Sequence, residues 1–549
     1  MINSEVIAQP VIKPTEPNRL PQLPESLLKP EIPNLLPLPE SPSRVPSQPQ
    51  PIDTKEPQIK VTVRQIRVLG STIFSEAELQ EAVAIYLDKA ATIQDLLAIR
   101  STITDLYTTR GYLTSGAFLP AQLQDFDKGI ISIQIIEGEL ERIDIKGLSR
   151  LQEGYVQSRL SQAGKRPVNI RNLESGLQLL QLDSLFNSVQ AELKAGTSVG
   201  RSILEVTLQE NPSWIASATI ESRESPTVGE IGLYGSIGDR NFTGLGDNLS
   251  LDLGGTEGTR RYGIQYNLPL DWHNELQFRY NYNTSRIITP KFAAIDINSR
   301  TQSSTLGYRY FLLRQPTSEI SLGINFESRE SRDFLLGNVP FSFSLGADNG
   351  RSAVNVLRFS QEWIDRSINR VLAARSQLSL GLGILGATVN DRGVDGRFLS
   401  WQGQFQWIQS LGKNTISIVR LGTQLTDKAL LPIEKFGIGG LDSIRGYQQN
   451  LYVGDSGVVG TVEFRLPVWS NPAIGLLQIT PFIDVGQVWS NSPNNFSGLL
   501  ASAGLGLRWE LGSSIRAKLE WAVQLNSINN SINSEPAQSL LFSLQISNF

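Results

Sequence analysis

From Trp214 to the C-terminus, apolar and polar residues alternate with a period of two. The alternation is clearest in Gln277–Asn283, Leu378–Ile384, Ser502–Leu511 and Arg516–Leu525. Successive side chains of a β-strand point to opposite faces, so each segment would form a strand with one apolar and one polar face. This pattern predicts an all-β fold for the whole C-terminal part of the chain.

Two β folds fit such alternation, a soluble sandwich and a barrel whose outer face meets lipid. Strands near ten residues long, a chain that ends on the strand Leu540–Phe549, and the confinement of all nine tryptophans to this region favour the barrel. In hydrocarbon each unpaired backbone group costs several kcal/mol, so the strands must close into a ring. We therefore predict a transmembrane β-barrel of roughly 16 antiparallel strands over residues 213–549.

Composition excludes several classes of function. The chain has no cysteine and one histidine, which excludes disulfides and thiol catalysis and makes metal sites and other cofactors poor candidates. The net charge is −4 and no basic cluster is present, so no nucleic-acid partner is predicted. The sequence contains no run of eighteen apolar residues, so it predicts no membrane-spanning helix. If the protein resides in a membrane, strands must cross it.

The N-terminal segment has a different composition. Residues 1–58 hold 14 of the 28 prolines, a density that opposes both helix and sheet. We predict an extended linker there, with a proline-rich recognition segment as the alternative. Met1–Pro10 shows neither a basic stretch nor an apolar stretch of a secretory signal, so an exported barrel would need a signal upstream.

Residues 59–139 and 140–212 predict two α+β units. A strand ending in glycine opens each unit, at Gly70 and at Gly147, which gives a repeat of 77 residues. In the first unit, Ser75 and Glu78 form a capping box before a helix that is expected to run through Leu87. The predicted order in both units is strand, helix, helix, strand, strand.

Two short motifs within the barrel region are candidates for function. Ile444, Arg445, Gly446 and Tyr447 follow a glycine-rich approach, and a later strand carries a second motif, formed by Phe482, Asp484 and Gly486. The approach contains Gly437, Gly439 and Gly440. Alternation places Asp484 on the lumenal face of its strand, so a loop folded into the pore would pair Arg445 with Asp484. The alternative interpretation treats both as ordinary polar residues of a β protein.

These features together resemble the two-partner secretion transporters, which export haemolysins and adhesins. The resemblance covers residues 60–549, and its most specific part lies in the first α+β unit, which resembles a POTRA domain. The matching stretches are Tyr107–Leu113, Phe118–Gln122 and Ile136–Gly138. Asp239–Asp247 is similar to an early-barrel turn shared by the wider POTRA-barrel superfamily.

The resemblance implies a function and partners. The protein would be an outer-membrane pore with two periplasmic POTRA domains that receive an unfolded exoprotein, and no enzyme. The implied partners are an exoprotein with a β-helical secretion domain, outer-membrane lipid, and the barrel assembly machinery, which would read the terminal Phe549. The pair Arg445 and Asp484 would anchor a pore loop whose tip includes Gly446 and Tyr447. The plug helix of many family members has no counterpart among the prolines of residues 1–58.

Three alternatives remain at this point. An insertase of the same superfamily would share the pore loop but usually carries more POTRA domains. A passive porin would not need receptor domains. An enzyme is the least favoured, because the lone histidine, His273, follows Trp272 at a predicted turn and is expected to be solvated.

Overall fold

The computed structural model describes residues 61–391, 393–412, 414–491, 496–526 and 538–548. These residues form two compact units, of which the first ends at Asn211 and the second begins at Pro212. The predicted proline-rich linker over residues 1–58 lies outside the described residues. Among the residues described, no helix is long and apolar enough to cross a bilayer.

The first half of the N-terminal unit is a small sheet covered by two helices. A parallel and an antiparallel pairing give the strand order β2-β5-β4, while β1 and β3 form a separate pair. Ile66, Ile131 and Ile133 of the sheet pack against Ile99 and Ile103 of α2. The elements are β1 Val61–Thr62, β2 Gln65–Leu69, α1 Glu76–Val83, β3 Ala90–Ala91, α2 Ile93–Thr109, β4 Gly116–Phe118 and β5 Ile130–Ile136.

Helix α1 begins where the sequence predicts and ends earlier. Ser75 and Glu78 form the capping box, and each bonds the other's backbone N–H. The helix ends at Val83, and a 3-10 turn leads to an extended Leu87, so the predicted continuation through Leu87 is wrong. The cause is the β1–β3 pair: the N–H of Asp88 donates to the carbonyl of Val63, which draws the chain out of the helix.

The second half repeats the order of elements. Its sheet has the order β6-β8-β7, and both helices pack on it through a core that includes Val156, Leu160, Leu173, Leu177 and Val206. The elements are β6 Glu139–Lys146, α3 Glu153–Ala163, α4 Ile170–Gln181, β7 Phe186–Ala195 and β8 Arg201–Glu210.

The C-terminal unit is a closed barrel, which confirms the predicted fold class. Sixteen strands form an antiparallel ring, which closes where the last strand, Gln538–Asn548, pairs with the first, Trp214–Ser222. Three short strands do not count among the sixteen: Val339–Pro340, Phe436–Ile438 and Tyr452–Gly454. In chain order the strands are β9 Trp214–Ser222, β10 Ile231–Asp239, β11 Asn248–Gly255, β12 Thr259–Pro269, β13 Asn274–Arg286, β14 Asn298–Arg314, β15 Ser318–Leu335, β16 Val339–Pro340, β17 Arg351–Ser367, β18 Arg370–Leu382, β19 Leu399–Gly412, β20 Thr415–Thr426, β21 Phe436–Ile438, β22 Tyr452–Gly454, β23 Ser456–Asn471, β24 Gly475–Trp489, β25 Ser497–Leu511, β26 Ile515–Gln524 and β27 Gln538–Asn548.

Strand length departs from the expectation of about ten residues. Strand β11 has 8 residues and β15 has 18. The outer face near the start of β14 carries Arg300 and Gln302, both exposed, while Leu306 and Tyr308 further along are apolar. The long strands therefore extend past the apolar band at the end of the barrel opposite Trp214.

Candidate functional site

The loop between β20 and β23, residues 427–455, folds into the barrel lumen. Its two limbs pair through β21 and β22, with Gly437 opposite Val453. Ile438 at the end of β21, with Ile444 and Tyr447 beyond it, packs on Val488 of β24 and Leu500 of β25, which are buried positions on the inner face. An apolar contact thus holds the loop against the wall and brings Arg445 to the inner face of β24.

Glycine is required at three positions of this loop. Gly439, Gly440 and Gly446 have φ values of +107°, +94° and +93°, a region that costs other residues about 1–2 kcal/mol. A Cβ on Gly439 would lie 2.4 Å from the carbonyl oxygen of Gln448, and one on Gly446 would lie 3.2 Å from the Cβ of Ala522. A side chain at Gly446 would therefore crowd β26 at the tip of the loop.

Arg445 and Asp484 meet in a two-pronged ion pair. Nε donates to Oδ2 at 2.8 Å and Nη2 donates to Oδ1 at 2.9 Å. The backbone N–H of Arg445 donates to the same Oδ2 at 3.1 Å. Arg445 is 5 % exposed and Asp484 is fully buried, so little water screens this pair.

The guanidinium has further partners that the sequence motifs did not identify. Its Nη1 donates to Glu520 of β26 at 2.8 Å and to Glu463 of β23 at 3.0 Å. From the motif itself, Phe482 has its ring centre 3.4 Å from the guanidinium carbon. Glu463 also accepts a bond from Arg465. Both glutamates occupy inward positions of alternating strands, and that parity is the signal that could have found them.

The neighbouring motif residues support the clamp formed by Arg445 with Asp484, Glu463 and Glu520. Ile444 is fully buried beside Gly486, where an added Cβ would lie 3.1 Å from the Cδ1 atom of Ile444. The hydroxyl of Tyr447 donates to the carbonyl of Ala501 at 2.8 Å. Gln524 of β26 donates to the carbonyl of Gly446 at 2.8 Å. Phe549 lies outside the described residues.

A charged cavity lies beside the clamp inside the barrel. It has a volume of about 220 Å³, and its wall includes Arg420, Arg465, Arg508 and Lys518 together with Arg445 and Glu520. Among the described residues, no group of three or more acidic or histidine side chains is placed to hold a metal ion. The ionic contacts hold the loop against the barrel wall.

The motif residues of the first α+β unit are parts of its packing. Tyr107 donates to the buried Glu137 at 2.9 Å, and Glu137 also accepts the N–H of Thr72. Burial and the neighbouring Glu137 raise the pKa of Tyr107. Arg110 stacks over Phe74, with the guanidinium carbon 4.3 Å from the ring centre. These residues fix α2 on the sheet.

Two other sequence features have structural roles. In the turn Asp239–Asp247, Asp239 accepts the N–H of Asn241, and Asp247 accepts the N–H of Thr243. His273 is half-buried rather than solvated, because its ring stacks on Tyr310 and its Nδ1 lies 2.8 Å from the carbonyl oxygen of Phe311. The two aspartates stabilise the turn between β10 and β11, and His273 stabilises the turn between β12 and β13.

The sequence profile described as haemolysin secretion/activation protein ShlB/FhaC/HecB matches residues 200–509. The chain belongs to this family. A second profile, the ShlB-type POTRA domain, matches residues 61–138. These matches confirm the resemblance to two-partner secretion transporters, and with it a β-barrel in the outer membrane and a POTRA region in the periplasm.

Curated relatives are transporters. The outer membrane transporter CdiB of Dickeya dadantii (strain 3937) is 24 % identical over 453 residues, covering 79 % of this chain and 77 % of its own length. The heme/hemopexin transporter protein HuxB of Haemophilus influenzae (strain 86-028NP) is 23 % identical over 514 residues, covering 86 % and 85 %. Their descriptions support a transport role for this chain over an enzymatic one.

Solved structures share the fold. CdiB from Escherichia coli matches with a TM-score of 0.72 at 21 % identity, covering 92 % of this chain and 93 % of its own. BamA from Haemophilus ducreyi, lacking POTRA domains 1-3, matches with a TM-score of 0.50 at 14 % identity, covering 89 % and 100 %.

Proposed function

We propose that this protein conducts an unfolded exoprotein across the outer membrane, from its POTRA region through the barrel. The observation that carries the proposal is the loop of residues 427–455, which is held inside a closed barrel by Arg445. A passive pore would not need a POTRA region in addition to the barrel.

The POTRA region supplies a binding mode for an unfolded client. Strands β4 and β7 stand at the ends of their sheets, in the orders β2-β5-β4 and β6-β8-β7. An extended client can add to such an edge through main-chain hydrogen bonds, without a fixed sequence requirement. An exoprotein with a β-helical secretion domain is rich in such strands, and it is the partner we propose.

The clamp supplies a gate. The docked loop lines the cavity beside the clamp with Leu441, Asp442 and Ser443, so it occupies lumenal space that a passing polypeptide would need. We propose that passage of the client moves the loop and that the ion pair of Arg445 with Asp484 restores the closed state. The barrel wall is held by its own backbone hydrogen bonds and need not change.

The test pairs the transporter with its client. The genes beside this one are expected to encode a large β-helical exoprotein, and co-expression in a bacterium with an outer membrane lets that exoprotein be measured in the medium. Secretion that depends on this chain supports the proposal. A client that stays in the periplasm although the barrel is folded contradicts it.

The likeness to BamA favours one second candidate, an insertase that assembles other barrels. The same cells distinguish the two functions, because an insertase would change the folded amount of unrelated outer-membrane barrels. A transporter would change the secreted client alone.

A further inference from the structure

The loop of residues 427–455 has a second attachment, far along the loop from its tip. The short 3-10 turn Pro432–Glu434 precedes β21, and its Glu434 is 2 % exposed. Arg358 of β17 donates from Nη2 to both oxygens of Glu434, at 2.8 and 3.1 Å. A second buried arginine thus binds the same loop, with the charges reversed: here the wall supplies the cation and the loop supplies the anion.

Arg358 is itself fixed by the wall. Its Nε donates to Glu327 of β15 at 2.7 Å, and its Nη1 donates to Ser379 of β18 at 2.9 Å. The guanidinium therefore has its orientation set by two neighbouring strands before it reaches the loop. A guanidinium whose orientation is preset in this way binds a carboxylate more specifically than a flexible cation does.

The backbone and the apolar residues of the turn are held as well. Arg329 of β15 donates to the carbonyl of Ile433 at 2.8 Å, and Gln424 of β20 donates to the carbonyl of Glu434 at 2.9 Å. Ile433 is fully buried in an apolar cluster with Val354 and Val356, which are buried positions of β17. Ionic, backbone and apolar contacts thus converge on two neighbouring residues of the loop, Ile433 and Glu434.

We propose that Arg358 and Glu434 form a second anchor that positions the pore loop, so that the gate opens fully when both the tip and this turn are released. The two attachments use different sectors of the wall, β15 to β18 for the turn and β23 to β26 for the tip. Release of the tip alone leaves the first limb of the loop fixed inside the lumen. The inference rests on the proposed gating role of the loop.

The chain has no cysteine, so a single introduced thiol is the only one that a thiol-reactive label can modify. Ile444→Cys places it at a fully buried position of the docked tip. The rate of labelling by a maleimide is then measured on the purified full-length protein in detergent, with heat-modifiable migration as the check that each barrel is folded. The readout needs no client.

Glu434→Lys is the deciding variant, because it lies on the loop and brings a second cation to Arg358. We expect labelling to rise at least about tenfold, since the anchoring contact becomes repulsive and the tip, then held by its own clamp alone, undocks more often. Adding Arg358→Gln should lower the rate again, because it removes the repulsion and leaves Glu327 to attract the new ammonium group. General destabilisation would give the opposite result, a further rise in the double variant.

Arg375→Gln is the matched control. Arg375 lies on β18 and its described partners, Glu362 and Gln377, are wall residues. Its loss should leave labelling unchanged. Labelling of Glu434→Lys at the rate of this control would overturn the second anchor.

Arg445→Ala separates this inference from the proposed gate. Raised labelling for Arg445→Ala with none for Glu434→Lys would leave the tip clamp standing and remove the second anchor. Unchanged labelling in both variants would remove the gate itself.

Discussion

At the scale of single residues, the alternation of apolar and polar positions identifies Asp484 as the partner of Arg445 but does not identify the two glutamates that also bind Arg445. Alternation placed Asp484 on the inner face, and Arg445 was the cation of a glycine-rich loop nearby. Glu463 and Glu520 were equally inward, but nothing in the sequence indicates which strands surround the loop tip. That proximity depends on the registers of β23 to β26 around a closed ring, and a register is a long-range property.

The fork of Arg445 gives the first prediction. Arg445→Lys should secrete little more client than Arg445→Ala, at least about tenfold below wild type, because an ammonium cannot span both oxygens of Asp484 while reaching Glu520. Secreted client is quantified per folded barrel. The double variant of Arg445→Ala and Asp484→Ala should show a defect close to that of Arg445→Ala alone, since both changes remove the same ion pair and only Arg445→Ala also removes the bonds to the two glutamates.

Folding of the barrel is the control for this pair. Each variant should keep heat-modifiable migration, because the clamp joins a loop to the wall and takes no part in ring closure. Wild-type secretion from both single variants, or defects that add fully in the double variant, would contradict the role of the pair.

At the scale of elements, local rules predicted most helices and the strand faces. The capping box began α1 correctly, and the period of two gave the outward positions of β24 to β26. The errors came from tertiary pairing: the β1–β3 pair ends α1 early, and the long strands extend beyond the apolar band. Neither cause is local in sequence.

The two faces of β26 give the second prediction. Leu519 is 44 % exposed on the outer face, and Leu519→Arg should reduce the amount of barrel in the membrane, because a lipid-facing arginine costs about 2–4 kcal/mol at mid-bilayer. Folded protein in outer-membrane fractions is the measurement. Asn281→Lys, on the inner face of β13, is the control and should insert normally.

Gln524 would be a poor control for that experiment. It is an inward position where alternation alone predicts tolerance of a lysine, but its amide holds the carbonyl of Gly446.

Equal damage from Leu519→Arg and Asn281→Lys would argue against a lipid-facing outer surface.

Helix α1 gives the third prediction, an acid-sensitive N-terminus. The backbone N–H and hydroxyl of Ser75, together with Arg110, lower the pKa of Glu78 from 4.5 to about 2. Because the folded protein favours the ionised carboxylate of Glu78, this carboxylate stabilises the helix start fully above pH 4.5. The contribution is lost as the pH falls towards 2 and the carboxylate is protonated. Hydrogen exchange at the first turn should therefore lose protection over that range. Glu78→Gln should show no such pH-dependent loss from this site, and an unchanged profile in both proteins would contradict the coupling.

At the scale of the whole molecule, ring closure could be predicted from physics, whereas the apolar packing of the loop on the ring wall could not. Unpaired strand edges are too costly in hydrocarbon, so sixteen amphipathic strands imply a closed barrel. The inward folding of residues 427–455 follows from apolar burial of Ile438, Ile444 and Tyr447 against Val488 and Leu500. Those wall positions are inward and apolar, which the rule of a polar lumen does not predict.

The independence of the two units gives the last prediction. The POTRA region has its own apolar cores, around Ile99 and around Leu160, while the barrel closes through its own strand pairs. Deletion of residues 61–211 should therefore leave a barrel that folds and inserts, since no strand of the ring is removed. Secretion should fall to background, because the edge strands β4 and β7 that would receive the client are gone. Heat-modifiable barrel in the outer membrane is the control, and client in the medium is the readout. Secretion that survived the deletion would mean that the barrel alone recognises the client, and reception by the POTRA region would be wrong.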